Sequence, residues 1–437
     1  MSLGFGVVQL DVTIVNTALN SIGHTLGGGV SELQWVVSAY TIAFAALILT
    51  AGALGDRVGA KKIFMAGFAL FTAASVACAL AHSAAILIAW RAVQGVGAAI
   101  LVPNSLALLN HAYPDEKERG RAVGIWAAGA SFALTAGPLA GGGLIALVGW
   151  RSIFLVNLPI GLAGLWLTWR YASETPLSRQ RELDLPGQAA AIGALASLAG
   201  ALIEGGARGW SNPWVLAGFA AFVALAGFFI FQERSARQPM LPLSLFKHRL
   251  FALTSLIGLL VNAAFYGLIF VLSLYFQQMN GLSALATGLD FLPMMAAVLV
   301  VNLFAARAAE RFGALMMIAA GAGIAAAGCM ALLGIERGTG YGEICAQLVA
   351  MGAGLGLVVP PLTSTLLGSV EKSRSGVAAG VLNSTRQTGS VLGVALFGSL
   401  LGRADAFIAG AHLSLIISTG LFIGAAAMAL LGARDTK

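Results

Sequence analysis

Stretches of about twenty apolar residues recur along the 437-residue chain, parted by short polar breaks. In a helix, twenty residues rise about 30 Å, the thickness of a bilayer's hydrocarbon core. Lipid offers no partner to backbone N–H and C=O groups, so such runs cross a membrane as helices. Fourteen spans are expected, near 1–20, 34–54, 62–82, 84–110, 120–147, 152–171, 185–204, 213–232, 250–276, 285–306, 314–334, 342–367, 377–402 and 412–432. The chain is 58% hydrophobic and 10% charged, where a soluble globule carries about 25% charge. The expected fold class is an all-α polytopic membrane protein. Its 56 glycines suit close helix packing in lipid. Cys78, Cys329 and Cys345 lie in apolar runs without a Cys-x-x-Cys pair, so neither a disulfide nor a metal is expected.

The net charge of +7 has a topological cause. Threaded through the spans, nineteen of the 25 Lys and Arg fall on one side. They run from Arg57, Lys61 and Lys62, through Arg179, Arg181, Arg237, Lys372 and Arg374, to Arg434 and Lys437. Four fall on the other side: Arg151, Arg208, Arg337 and Arg403. Basic loops stay in the cytoplasm. Both termini are therefore expected there, as an even span count requires. A miscounted span would have scrambled this asymmetry. The first span starts at Met1 with no basic flank, so either the first helix is short or the natural start lies upstream. Trp150, Trp210 and Trp214 fall near the external boundary and read as an aromatic belt.

Two short breaks on the basic side are alike. Asp56-Arg57-Val58-Gly59-Ala60 follows the second span, and Glu310-Arg311-Phe312-Gly313-Ala314 follows the tenth, 254 positions later. Residues 1–171 are read as one six-helix half and 235–437 as a second. Spans 7 and 8, within 172–234, are read as an inserted pair. Parallel repeats of this kind are a transporter architecture, with the substrate site between the halves near the midplane.

The segment "GALGDRVGAKK" (Gly52–Lys62) resembles the loop signature of the major facilitator superfamily. "LDVTIVNTAL" (Leu10–Leu19), "RAVQGVGAA" (Arg91–Ala99) and "AGPLAGGGL" (Ala136–Leu144) resemble three further motifs of its fourteen-helix drug:proton antiporter family. The order matches, and the resemblance spans nearly the whole chain. Asn20 departs from it, standing where the family often has Pro. The resemblance implies a major facilitator fold. It also implies that the Gly-Pro motif marks an antiporter rather than a symporter and seals a leak path.

Arg91 lies about eight residues below the external turn at His82-Ser83, roughly 12 Å deep. Asp11 lies about nine residues below the external end of span 1, roughly 13 Å deep. Charges at such depth are costly unless paired or wet. One reading is a structural pair locking helix 1 to helix 4. The other, favoured by the resemblance, is proton coupling: Asp11 carries the proton and Arg91 stabilises its charged form. Gln94, three residues on from Arg91, extends the polar face.

In span 5, Gly129, Ala133, Gly137 and Gly141 recur every four residues, a stripe that permits close helix approach. Pro138 removes a helix hydrogen bond. With Gly141-Gly142-Gly143 added, a hinge is expected. A rough alignment sets Val391 of span 13 opposite Pro138, so the motif is expected in one half alone.

Gly52, Asp56, Arg57 and Gly59 form a candidate cytoplasmic gate, mirrored by Glu310, Arg311 and Gly313. Gly59 permits the tight turn, and Asp56 is suited to a base or a helix N-terminus. Lys61 and Lys62 are read as topology anchors. Span 13 places Asn383, Arg386 and Gln387 in the membrane with no acid within a helical turn. Arg386 there either faces the cavity or binds backbone carbonyls. Asp290 is a candidate contact for a cationic substrate, or an acid held by a helix dipole.

No phosphate-binding Gly-Lys-Ser/Thr loop and no His-Glu-x-x-His occurs, and the five histidines are scattered. Neither an enzyme nor ATP drive is expected, and no metal or cofactor. The energy source is then expected to be an ion gradient, and the resemblance implies that the ion is the proton. The expected function is proton-coupled antiport, exporting amphipathic, cationic drugs across a bacterial-type inner membrane. The alternatives are a symporter importing a small metabolite and a non-transporting membrane sensor. Expected partners are protons, a small-molecule substrate and the lipid bilayer, without nucleic acid. A monomer is expected, and a periplasmic adaptor is left open.

Overall fold

The computed structural model describes residues 1–177, 184–236, 238–371, 375–401 and 406–434. Arg179, Arg181, Arg237, Lys372, Arg374, Arg403 and Lys437, on which part of the topology reading rests, lie outside the described residues. Among the described residues there are helices and no strands. The first six are α1 (Ser2–Leu26), α2 (Val30–Val58), α3 (Ala60–Ala79), α4 (Ala84–Ala112), α5 (Glu116–Val148) and α6 (Ser152–Tyr171). Next come α7 (Leu185–Arg208), α8 (Pro213–Ser235), α9 (Arg249–Leu274) and α10 (Ala284–Phe312). The last are α11 (Ala314–Ala331), α12 (Tyr341–Gly368), α13 (Ser375–Leu401) and α14 (Phe407–Arg434). Among the described residues thirteen helices are long and apolar enough to cross a membrane. The fourteenth is α13, diluted by Asn383, Thr385, Arg386 and Gln387. The chain is a multi-pass membrane protein. The end of the bundle holding Gly59 and Gly313 is termed inner, the opposite end outer.

Helix ends differ from expectation for local reasons. α1 runs to Leu26 and stops at Gly27, whose φ of 68° no side-chain-bearing residue adopts easily. Asp11 is therefore fifteen residues from the outer end of α1, roughly 22 Å, deeper than expected. α5 starts at Glu116 because Asp115 caps it, accepting from Lys117 N at 3.0 Å and Glu118 N at 2.9 Å. α6 breaks after Leu155, because Pro159 offers no N–H to the Leu155 carbonyl and its ring crowds it. Trp150 is buried against Phe154 and takes no part in an aromatic belt, whereas Trp210 and Trp214 are exposed.

The packing repeats after eight helices. α1 packs on α5 as α9 does on α13, and α2 packs on α4 as α10 does on α12. α3 meets α4 and α6 as α11 meets α12 and α14. The two sets touch through α2 with α13 and α5 with α10, contacts that the same shift interchanges. Gly59 joins α2 to α3 at φ 113°, and Gly313 joins α10 to α11 at φ 89°. Both N–H groups donate four residues back at 2.9 Å, to Gly55 O and Ala309 O. α7 and α8 pack together, and α7 lies along the α2–α13 seam. There Gln188 donates to Ala46 O at 3.0 Å and accepts from Thr50 Oγ1.

Candidate functional site

The structure brings Asp11, Arg91 and Gln94 into contact. Arg91 Nη1 donates to Asp11 Oδ2 at 2.5 Å and to Gln94 Oε1 at 2.8 Å. Gln94 Nε2 donates to Asp11 Oδ1 at 2.9 Å, closing a ring of three side chains. Arg91 Nε donates to Val36 O of α2 at 3.1 Å, and the guanidinium lies 4.3 Å from the Tyr40 ring centroid. A cation over an aromatic face in a desolvated place gains about 2 kcal/mol. Asp11 and Gln94 have no exposed surface, and Arg91 is 1% exposed. Two charges removed from water need their remaining donors and acceptors paired, and the ring with the Val36 carbonyl pairs Nε and Nη1 of Arg91 and both carboxylate oxygens of Asp11.

Two members escaped the sequence reading. Ser75 of α3 accepts from Gln94 Nε2 at 3.2 Å and from Asn157 Nδ2 of α6 at 2.9 Å, and donates to Phe154 O at 2.9 Å. Asn157 Nδ2 also lies 3.5 Å from Asp11 Oδ1. Asn157 sits just past the break in α6, two residues before Pro159. A buried amide needs partners, so Asn157 in an apolar run beside a proline was the available signal. A serine within a membrane helix carries little signal, since neighbouring helices use it freely.

Arg91 also borders a void of about 10 Å³ between the two sets of helices, shared with Asn16, Tyr40, Tyr266, Ser390 and Val394. Such a volume holds about one water. The carboxylate of Asp11 thus lies behind its arginine, away from the seam. A larger cavity of about 640 Å³ opens at the inner end between α1, α4, α5 and α6, lined by Leu109, Ile125 and Leu167 among others. None of the expected site residues lines it.

The span 5 motif divides between two neighbours. Gly137 and Gly141 face α1, where a Cβ would overlap Thr13 Oγ1 and Thr17 Oγ1. Gly129 faces Ser2 with ordinary clearance. Thr13 Oγ1 donates to Leu134 O of α5 at 3.1 Å. Gly142 faces α10 of the other set, and the Pro138 carbonyl lies where a Cβ on Gly288 would stand. The stripe is not confined to one half: Gly389 and Gly393 of α13 meet the backbone of α9 just as closely, at Leu259 and Ala263. Close packing dictates the glycines in both halves. The proline is what sets α5 apart.

At the inner end, Gly52 meets Pro103 at ordinary contact distance, Asp56 is partly buried, and Arg57, Glu310 and Arg311 are exposed. The residue that engages this turn is one the sequence reading missed. Glu174, beyond α6, accepts from Lys61 N at 2.8 Å and Lys62 N at 3.3 Å, while Thr175 Oγ1 accepts from Ala60 N at 3.0 Å. Together they cap α3. A Cβ at Gly59 would meet the Glu174 carboxylate. Linker acids give no periodic signal, so only the fold reveals this cap.

Asp290, Asn383, Arg386 and Gln387 do not form one cluster. Asp290 lies two turns into α10, beyond reach of a first-turn dipole effect. Its backbone carbonyl accepts from the Tyr341 hydroxyl of α12 at 3.0 Å. Asn383 donates to Ala379 O of its own helix at 3.0 Å. Arg386 Nη2 donates to Thr363 Oγ1 of α12 at 2.8 Å and lies 3.5 Å from Val359 O. Gln387 Oε1 is buried without a partner. Among the described residues no cluster of His, Cys, Asp and Glu suits a metal.

A sequence profile described as Major Facilitator Superfamily matches residues 1–394. The chain is 38% identical to the Methylenomycin A resistance protein of Bacillus subtilis (strain 168), over 95% of this chain and 90% of that one. It is 37% identical to the Multidrug resistance protein Stp of Mycobacterium tuberculosis (strain CDC 1551 / Oshkosh), over 91% of this chain and 74% of that one. The crystal structure of the human organic anion transporter MFSD10 (TETRAN) superposes with a TM-score of 0.68 at 18% identity, covering 98% of this chain and 97% of that one. A D-xylose-proton symporter superposes with a TM-score of 0.69 at 13% identity, covering 98% and 95%. At those identities the likeness is one of fold. The chain belongs to the Major Facilitator Superfamily, and it is a transporter rather than an enzyme.

Proposed function

We propose that this protein is a proton-coupled antiporter that exports amphipathic drugs across a bacterial plasma membrane, with both termini cytoplasmic. Drug export is supported by relatives named for drug resistance and efflux. The observation that carries proton coupling is the Asp11–Arg91 pair, wholly buried yet bordered on the Arg91 side by the void between the halves. Parting the halves at the outer end widens that void and brings water to Arg91. A proton reaching Asp11 cancels the charge that Arg91 neutralises. The arginine is left with the Val36 carbonyl, the Tyr40 ring and Gln94. Reclosing the outer end and opening the inner end returns the proton to the cytoplasm and restores the pair. Drug and proton states exclude each other, so proton entry accompanies drug release. An acid facing the seam would favour cations, and the Asp290 backbone lies against Tyr341 of α12.

The test is flux in proteoliposomes carrying an internal pH dye, with a fluorescent amphipathic drug. Wild type should move protons one way and drug the other. Asp11→Asn should retain drug binding and lose proton movement. Protons and drug moving in the same direction would make the protein a symporter, and no flux at all would make it a non-transporting protein.

A further inference from the structure

Arg386 is a charged group whose surroundings are incomplete. A guanidinium carries five N–H donors and stays protonated. Two neutral acceptors stand near Nη2, the Thr363 hydroxyl at 2.8 Å and the Val359 carbonyl at 3.5 Å. Nε is enclosed and unbonded. Among the described residues Arg386 makes no ion pair with a carboxylate, in contrast to Arg91. Arg386 is half-buried within the membrane part of the bundle, and a cation held there by neutral partners alone is costly. An incoming anion would offset that cost, so the unpaired donors of Arg386 select a ligand by the sign of its charge.

Its position suits a cargo site. Ser390 and Val394, one and two turns further along the same face of α13, line the void between the halves with Arg91 and Tyr266. Arg386 therefore continues that line toward the inner end. The opposite wall supplies no competing free charge, because Arg91 is already neutralised by Asp11. Leu362, Leu382 and the stem of Arg386 all approach Gly258, and the Tyr266 ring lines the neighbouring void. An apolar body with one acidic end matches that lining.

We propose that Arg386 recognises the carboxylate of amphipathic acids, and that such acids are a preferred cargo class of this exporter. The proposal rests on the antiporter reading above. The guanidinium fork would take the carboxylate through its spare donors while the apolar body lies across the seam.

The test uses the purified full chain in lipid nanodiscs and three probes differing in one group: 1-pyrenebutyric acid, 1-pyrenebutanol and 1-pyrenebutylamine. Binding is read from energy transfer between the protein's tryptophans and pyrene. Wild type should bind the acid about tenfold more tightly than the alcohol, with the amine weakest. Arg386→Gln should bind acid and alcohol alike. Arg386→Lys should keep part of the preference, since ammonium retains the charge without the fork. Equal binding of all three probes by wild type overturns the proposal. So does an acid preference that survives in Arg386→Gln, which would assign the arginine to holding α13 against α12. If the glutamine variant does not fold, the lysine variant decides: a reduced preference supports the proposal and an unreduced one overturns it. Proton exchange driven by pyrenebutanol without acid preference would leave antiport standing and remove the carboxylate assignment. Acid preference without proton exchange would do the reverse.

Discussion

Gly142 of α5 has no side chain at the point where Ala284 of α10 passes: a Cβ there would stand 2.6 Å from the Ala284 carbonyl oxygen and 2.7 Å from Leu285 Cα. This contact closes the outer end of the seam between the two sets of helices. Gly142→Leu should wedge it apart. In a chain lacking Cys78, Cys329 and Cys345, a cysteine at position 285 should then react at least several-fold faster with a membrane-impermeant maleimide. Drug–proton exchange should fall, because outer closure is one half of the cycle. Gly143→Leu is the control, since nothing lies within 4 Å of a Cβ at Gly143. Equal labelling in both variants would mean that the seam does not open at Gly142.

At the inner end, Glu174 and Gly59 should be energetically coupled. Glu174→Ala strips two N–H groups of α3 of their acceptor, and loss of such a cap costs about 0.5–2 kcal/mol. Gly59→Ala suffers twice, from a φ of 113° and from collision with the Glu174 carboxylate. Once the collision partner is gone, the backbone strain alone should remain. Glu174→Ala should therefore cost less in the Gly59→Ala background than in wild type. Thermal unfolding of the four proteins measures this, and strict additivity would show that the carboxylate and the turn do not interact.

The parts of this molecule governed by lipid are legible in its sequence. Hydropathy marks thirteen helices clearly because hydrocarbon imposes one rule on all of them, while α13, diluted by polar residues, stands out less. Arg91 and Asp11 stood out because a charge in lipid is conspicuous. Ser75, Asn157 and Glu174 did not, for a different reason in each case. Ser75 is unremarkable in a membrane helix, Asn157 depends on a break set by Pro159, and Glu174 acts from a linker. The glycine stripe was legible as packing, but periodicity cannot say which helix each face meets. That is why Gly389 and Gly393 were overlooked as counterparts of Gly137 and Gly141. Asp290 shows the same limit: its depth was readable and its neighbour α12 was not.

Asn157 should act on exchange by positioning Asp11. Asn157→Ala removes a donor near the Asp11 carboxylate and one from Ser75. Hydrogen bonds to charged groups contribute about 1.5–3 kcal/mol. Exchange should fall about tenfold or more while drug binding holds. Ser75→Ala, which removes an acceptor from Gln94 and Asn157 but touches no charge, should cost less. Reversal of that order would place the sensitive bond on Ser75 and detach Asn157 from the coupling carboxylate.

The Asp11–Arg91 pair admits a test that separates a lock from a coupling site. Each charge is tolerable in the interior because of the other, through the bond at 2.5 Å. Arg91→Gln leaves a buried carboxylate without its cation, and such half-removals cost about 3–5 kcal/mol. Asp11→Asn leaves the cation alone, partly offset by the Val36 carbonyl and the Tyr40 ring, so it should cost less. The double variant Asp11→Asn with Arg91→Gln removes both charges and keeps amides that can bond to each other and to Gln94. It should unfold near the wild-type temperature. A pair that only locks α1 to α4 would then be replaced adequately, and drug–proton exchange would return with stability. A pair that couples protons cannot be replaced, because no titrating group remains. The expected result is a stable double variant that binds drug and moves no protons. Exchange at the wild-type rate in that variant would reduce the pair to a structural lock and send the search for the proton carrier elsewhere.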